Sequence, residues 1–208
     1  MINIDIVYLA VVFVSILLSM TLHEAMHAFV GYWLGDDTAK AEGRLTLNPL
    51  AHIDPITTVL LPLVLVLLGA PPFGAAKPVP FNPARLRFDE FGAALVGAAG
   101  PLTNFALAVL ASLVVRLGGP YIGDYVTSMV AVFALVNISF FAFNIIPFPP
   151  LDGSRVLYAF APDVVREFMR RIESMGFMAI GLFMVLFYLV LLDPFIGVVS
   201  FLSKILLG

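Results

Sequence analysis

Apolar residues run almost without a break from residue 6, with no charge between Asp5 and His23, and the run continues to Leu34 before Gly35. A helix over 6–34 would be about 43 Å long at 1.5 Å per residue, enough to cross a bilayer with tilt and protrude. Gly35 suits the residue that ends such a helix. The stretch 36–55 is polar. The next apolar stretch, 56–70, carries Pro62 and is bounded by Pro55 and by Pro71-Pro72. It is short of the roughly 20 residues that a full span takes. A Pro-rich loop over 71–90 follows, with Lys77, Arg85 and Arg87. Segments 91–117, 121–146 and 175–192 read as spans, 147–174 is polar and basic, and 194–207 is a short apolar end. The pattern predicts an all-α polytopic membrane protein, with about five spanning helices plus a short re-entrant or half-spanning segment at 56–70.

Composition agrees with this pattern. The 208 residues are 61% hydrophobic and 12% charged, whereas soluble domains average about 45–50% and about 25%. Cysteine is absent, so any metal must be held by His, Asp, Glu or carbonyl oxygen. No basic run points to nucleic acid, and the net charge of −3 names no partner. The N-terminus lacks the basic region of a signal peptide, so the first segment is expected to be retained. Residues 1–208 are expected to form a single integral-membrane domain, with a core over 6–155 and C-terminal accessory helices over 174–207.

Basic residues favour the cytoplasmic side of a membrane. If 56–70 dips in and returns, then Lys40, Arg44, Lys77, Arg85, Arg87, Arg155, Arg166, Arg170 and Arg171 share one side. Among the internal loops only Arg116 then opposes them. If 56–70 crosses, Lys40 and Arg44 part from the rest. The charges favour the re-entrant reading, with the end of the first helix at the cytoplasmic face.

Within the first apolar run lies His23-Glu24-Ala25-Met26-His27. Histidines at i and i+4 share one helix face and can take one Zn²⁺ between them, with the intervening Glu beside a water. In a soluble chain HExxH is often a chance match. Three ionisable residues in one turn of a membrane helix are costly, and point to function. A catalytic zinc takes three protein ligands. His52, Asp54 and Asp152 are candidates for the third, with Glu42 and Asp124 behind them. Asp152 stands out. It follows Pro147, Pro149 and Pro150, which break a helix at the end of a span, and the re-entrant topology brings that break to the side of His23 and His27. The competing role for Asp152 is an N-cap for the helix that begins at Gly153.

The pair His23-Glu24-Ala25-Met26-His27 and Asn144-Ile145-Ile146-Pro147-Phe148-Pro149-Pro150-Leu151-Asp152-Gly153, with Gly100-Pro101-Leu102-Thr103-Asn104 between them, resembles the site-2 protease family of intramembrane zinc metalloproteases. The likeness covers most of residues 20–155. It is nearest to the compact branch without PDZ or CBS domains, where Gly43-Arg44-Leu45-Thr46-Leu47-Asn48-Pro49 and Lys77-Pro78-Val79-Pro80 are also familiar. Ser154 departs from it, standing where a second Gly often does.

The resemblance implies one Zn²⁺ per chain held by His23, His27 and Asp152. It implies Glu24 as catalytic base, and Asn144 matches the family's Asn, a candidate oxyanion donor. The expected reaction is hydrolysis of a peptide bond in or near a transmembrane segment of a membrane-protein substrate, in the cell membrane of a prokaryote. The expected partners are that substrate and the lipid bilayer. Asn104 is a weaker candidate, read as structural with Gly100 and Pro101. His52 is a pocket or loop residue, and Asn48 and Asp54 are turn and cap residues. The chain segments 41–47 and 76–81 could offer an extended edge for an unwound substrate. A transporter and a zinc-stabilised scaffold without catalysis are the alternatives from other functional classes.

Overall fold

The computed structural model describes residues 6–60, 64, 67, 74 and 76–208. No strand occurs among the described residues, and the architecture is all-helical. In chain order the α-helices are α1 (Ile6–Trp33), the single turn α2 (Thr38–Ala41), α3 (Asp89–Leu113), the single turn α4 (Gly119–Ile122) and α5 (Asp124–Asn144). After a break come α6 (Gly153–Phe160), α7 (Asp163–Ser174), α8 (Phe177–Leu186) and α9 (Leu192–Leu206).

Four runs among the described residues are long and apolar enough to span a bilayer: Ile6–Trp33, Asp89–Ile122, Asp124–Asn144 and Met178–Leu206. The last joins two segments that the sequence separates at Pro194. A wide turn over Phe187–Leu191 connects α8 to α9, and Pro194 falls in the first turn of α9, where a missing N–H costs little. The spans described therefore number four where the sequence pattern predicts about five. Of the segment expected to be re-entrant, Pro55–Leu60 forms a helical turn. Residues 61–63, 65, 66 and 68–70 lie outside the described residues.

The helices pack as lipid-soluble helices do. Large side chains such as Ile6, Phe13, Leu110 and Leu189 face outward, since hydrocarbon solvates them as well as a protein core does. Small ones turn inward: Ser15, Ser19, Ala25, Ala28 and Gly31 on α1, Ala94, Gly97, Gly100 and Ala108 on α3, Ala134 and Ala142 on α5. They let the three backbones approach closely. At Gly97 an added Cβ would sit 2.7 Å from Arg155 Cβ, so α6 lies directly against α3.

The long loop after α1 returns to where it left. Arg87 N donates to Leu34 O at 2.8 Å, and Asn82 N donates to Asp36 Oδ2 at 2.6 Å. Both ends of 35–86 thus lie at one end of the bundle. α6 lies there too, with Phe160 edge-on to Phe91 (ring centroids 5.4 Å apart) and Arg155 over the Phe81 ring at 5.7 Å. The Pro-rich break before α6 is anchored from behind. Phe143, Phe148 and Leu151 pack with Phe183, Phe187 and Phe195 of the C-terminal run. That aromatic cluster fixes the chain immediately before Asp152.

Candidate metal centre

His23 and His27 both project from α1 toward α3 and are buried. Their Nε2 atoms lie 3.1 Å apart. Asp152 Oδ2 closes the triangle, 3.0 Å from His23 Nε2 and 3.3 Å from His27 Nε2. Of the candidate third ligands, the structure brings only Asp152 to the histidines among the described residues. Asp152 does occupy the N-cap position of α6, but its side chain makes no capping hydrogen bond. The carboxylate points to the histidines instead.

The donor set fits a zinc ion. His27 Nδ1 lies 2.6 Å from the Val96 carbonyl oxygen, a pure acceptor. Nδ1 therefore carries the proton and Nε2 keeps its lone pair. His23 Nδ1 faces Asn104 Oδ1 at 2.6 Å, which leaves its Nε2 in the same state. With both rings neutral, two lone-pair nitrogens and a carboxylate oxygen converge, an arrangement that a cation stabilises. Their spacing suits one ion, since zinc–ligand bonds of about 2.0–2.1 Å put tetrahedral ligands about 3.3 Å apart. Gly100 keeps the place open: a Cβ there would lie 2.6 Å from His23 Nε2.

Glu24 lies beside the pair on α1, half-buried. Its Oε2 accepts a hydrogen bond from Val79 N at 3.1 Å. The two further motifs build the support for that contact. Arg44 is buried and donates from Nη2 to the Lys77 carbonyl and to His52 Nδ1, the latter at 3.3 Å. Lys77 N donates to His52 O at 2.9 Å. His52 Nε2 faces the Thr46 carbonyl at 2.9 Å. His52 is thus a buried loop tie away from the metal cluster. Burial pushes the Arg44 guanidinium below its ordinary value, opposed by the charges of Glu24 and Glu42. Burial alone would raise the Asp36 carboxyl. Hydrogen bonds from Thr38 and from Asn82 N outweigh it and hold the group below its usual range.

The remaining expectations are placed as follows. Asn144 donates from Nδ2 to Phe140 O, one turn back on α5, at 3.0 Å. Asp54 Oδ1 accepts from the backbone of Ile56 and Thr57, and Asn48 Oδ1 from Leu50, so both cap turns. Segment 76–81 carries no helix, turn or strand, and 41–47 is a helix end and turns and offers no edge. Sequence reasoning missed the Val79 N–H, the Val96 carbonyl and Asn137. The first two are backbone groups with no sequence signal. Asn137 is a polar residue in an apolar span, which is a signal without a direction.

YwhC of Bacillus subtilis (strain 168), named as a zinc metalloprotease, is 38% identical over 181 residues, covering 84% of this chain and 78% of the relative. The chain belongs to peptidase family M50. That family's own pattern matches residues 119–188. Rip2 of Mycobacterium tuberculosis (strain ATCC 25618 / H37Rv), also named as a zinc metalloprotease, is 33% identical over 190 residues, 89% of this chain and 70% of that one. Rip2 of Mycolicibacterium smegmatis (strain ATCC 700084 / mc(2)155), named likewise, is 28% identical over 165 residues, 79% of this chain and 62% of its own length. No solved structure matches significantly. Membership of an M50 peptidase family sets aside the transporter and the inert scaffold.

Proposed function

We propose that this M50 peptidase hydrolyses a peptide bond in or near a transmembrane segment of a membrane-protein substrate, using one zinc ion held by His23, His27 and Asp152. The observation that carries the reading is the convergence of His23 Nε2 and His27 Nε2, on a helix apolar enough to span a bilayer, with Asp152 Oδ2 from the break before α6, all within 3.3 Å of one another. Zinc at these atoms supplies Lewis acidity to polarise the scissile carbonyl and to make water more acidic.

The chain's own groups do the rest. Glu24 takes a proton from the attacking water and gives it to the leaving amine. Val79 N–H holds Oε2 of that carboxylate, so Oε1 is the proton-carrying atom. Asn144 Nδ2 bonds Phe140 O with one hydrogen and has a second to offer a developing oxyanion. A substrate helix must unwind before its carbonyls are reachable. Segment 76–81, whose Val79 N–H bonds Glu24, is the backbone against which the unwound peptide pairs. The chain works as one unit, with core 6–155 carrying every proposed catalytic group and the helices over 174–207 bracing the Asp152 break. The bacterial relatives point to the cell membrane of a prokaryote.

The test is cleavage of a single-span substrate in proteoliposomes by the wild type and by Glu24→Gln. The variant is expected to keep zinc and to lose cleavage by about 10²–10⁴-fold, the range for a general base. A Glu24→Gln protein that cleaves at the wild-type rate contradicts the proposal.

A further inference from the structure

Behind the His23–Asn104 contact the row of buried amides continues to Asn137, which has no role in the reading above. Asn104 on α3 and Asn137 on α5 are both fully buried. Asn104 Oδ1 faces His23 Nδ1 at 2.6 Å. Asn104 Nδ2 donates to Asn137 Oδ1 at 2.9 Å, and is 3.3 Å from the Ser19 carbonyl of α1. Asn137 Nδ2 in turn donates to the Phe133 carbonyl at 2.9 Å.

The ends of this row decide its direction. An asparagine amide can present either oxygen or nitrogen to a neighbour, and a neutral histidine can carry its proton on either ring atom. Phe133 O and Ser19 O are backbone carbonyls and can only accept. Phe133 O therefore requires Asn137 to turn its NH₂ that way and its oxygen toward Asn104. Asn104 must then turn its NH₂ to Asn137 and Ser19, and its oxygen to His23. With an oxygen at 2.6 Å, His23 holds its proton on Nδ1, and Nε2 is left as a lone pair facing His27 and Asp152. Reversing either amide would set oxygen against oxygen inside the membrane, where an unpaired polar group is costly.

We propose that Asn137 is a positioning residue for metal binding: through Asn104 it fixes His23 in the tautomer whose Nε2 can ligate. This rests on the reading of His23 as a zinc ligand. His52 supplies the internal contrast. Its Nε2 faces the Thr46 carbonyl and its Nδ1 accepts from Arg44, so it holds the opposite tautomer.

The experiment measures zinc affinity of the full chain in detergent, by competition with a chelator, for wild type, Asn137→Leu, Asn137→Asp and His23→Ala. Loss of an outer partner of a metal-ligating histidine costs about 10–100-fold in metal affinity. Asn137→Leu is expected to lose that much. Asn137→Asp, kept as the neutral acid by full burial, retains both an acceptor toward Asn104 and a donor toward the Phe133 carbonyl and is expected to stay close to wild type, a rescue that simple loss of packing would not give. Folded Asn137→Leu with wild-type affinity overturns the proposal, as does Asn137→Asp falling as far as Asn137→Leu. Should the Leu variant not fold, ¹⁵N NMR of histidine-labelled, zinc-free wild type decides. The chain has three histidines, and His23 Nδ1 must carry a proton. His23 Nδ1 without a proton overturns the proposal. If His23→Ala binds zinc like the wild type, the metal site itself is misassigned. If His23→Ala loses zinc and Asn137→Leu does not, only the amide relay falls.

Discussion

Asp152 Oδ2 lies 3.0 Å from His23 Nε2, across 129 residues of sequence, although Asp152 sits where a helix N-cap would serve α6. The two roles of this residue separate on substitution. Asn caps a helix about as well as Asp, but lacks the negative charge that holds a metal cation. Asp152→Asn is therefore expected to weaken zinc binding by more than the roughly 10–100-fold that loss of a ligand's outer partner costs and to lose most cleavage, while unfolding as the wild type does. Asp54→Asn, which alters only a turn, is expected to leave zinc content unchanged. Zinc analysis and thermal unfolding in detergent check both.

The space at Gly100 has a second consequence. An Ala there places a Cβ 2.6 Å from His23 Nε2 and Cε1, and overpacking of this kind costs about 1–3 kcal/mol. Gly100→Ala is expected to displace the imidazoles and to bind zinc at least tenfold more weakly, since 1.4 kcal/mol is about a factor of ten. Gly181→Ala, where an added Cβ meets nothing within 4 Å, is the control and is expected to bind as wild type.

Asp36 couples the loop to pH. Its carboxyl is held below the ordinary value of 3.8 in the folded chain. A depressed folded value gives stability that is present above the unfolded value and lost as pH falls through the folded one. Acid below about pH 4 is therefore expected to loosen the contact between Asp36 and Asn82. Asp36→Asn is expected to flatten that acid dependence. Protease sensitivity of the 76–88 loop between pH 3 and pH 6 is the readout.

The Leu34–Arg87 hydrogen bond closes the 35–86 loop on one end of the bundle. The chain has no native cysteine, so single cysteines can be placed at will. Cysteines replacing the exposed residues Lys40, Ala84 and Asp163 are expected to react with an impermeant reagent from the same face of the membrane. Labelling of the first two from opposite faces would contradict this topology.

Much of the site was legible in the sequence because its parts obey local rules. The i, i+4 spacing puts His23 and His27 on one face whatever else the chain does. The proline break at 147–150 marks Asp152 as lying outside a helix interior. Other parts depend on packing alone. Pro194 reads as a break, yet in the first turn of α9 it removes a donor that the helix does not need, so 175–192 and 194–207 join. Asn137 could have faced lipid, Asn104 or a neighbouring carbonyl, and only the close approach of α1, α3 and α5 selects among these. Val79 meets Glu24 because the loop is tied by Arg44, Lys77 and His52, none of which announces that contact.

The central claim is that His23 and His27 hold the zinc of a peptidase. Metal analysis of purified wild type and of the His23→Ala, His27→Ala double variant tests it most directly. About one Zn²⁺ per chain is expected in the wild type, in keeping with a single three-ligand site, and none above background in the double variant. Full zinc occupancy in the double variant would contradict the account.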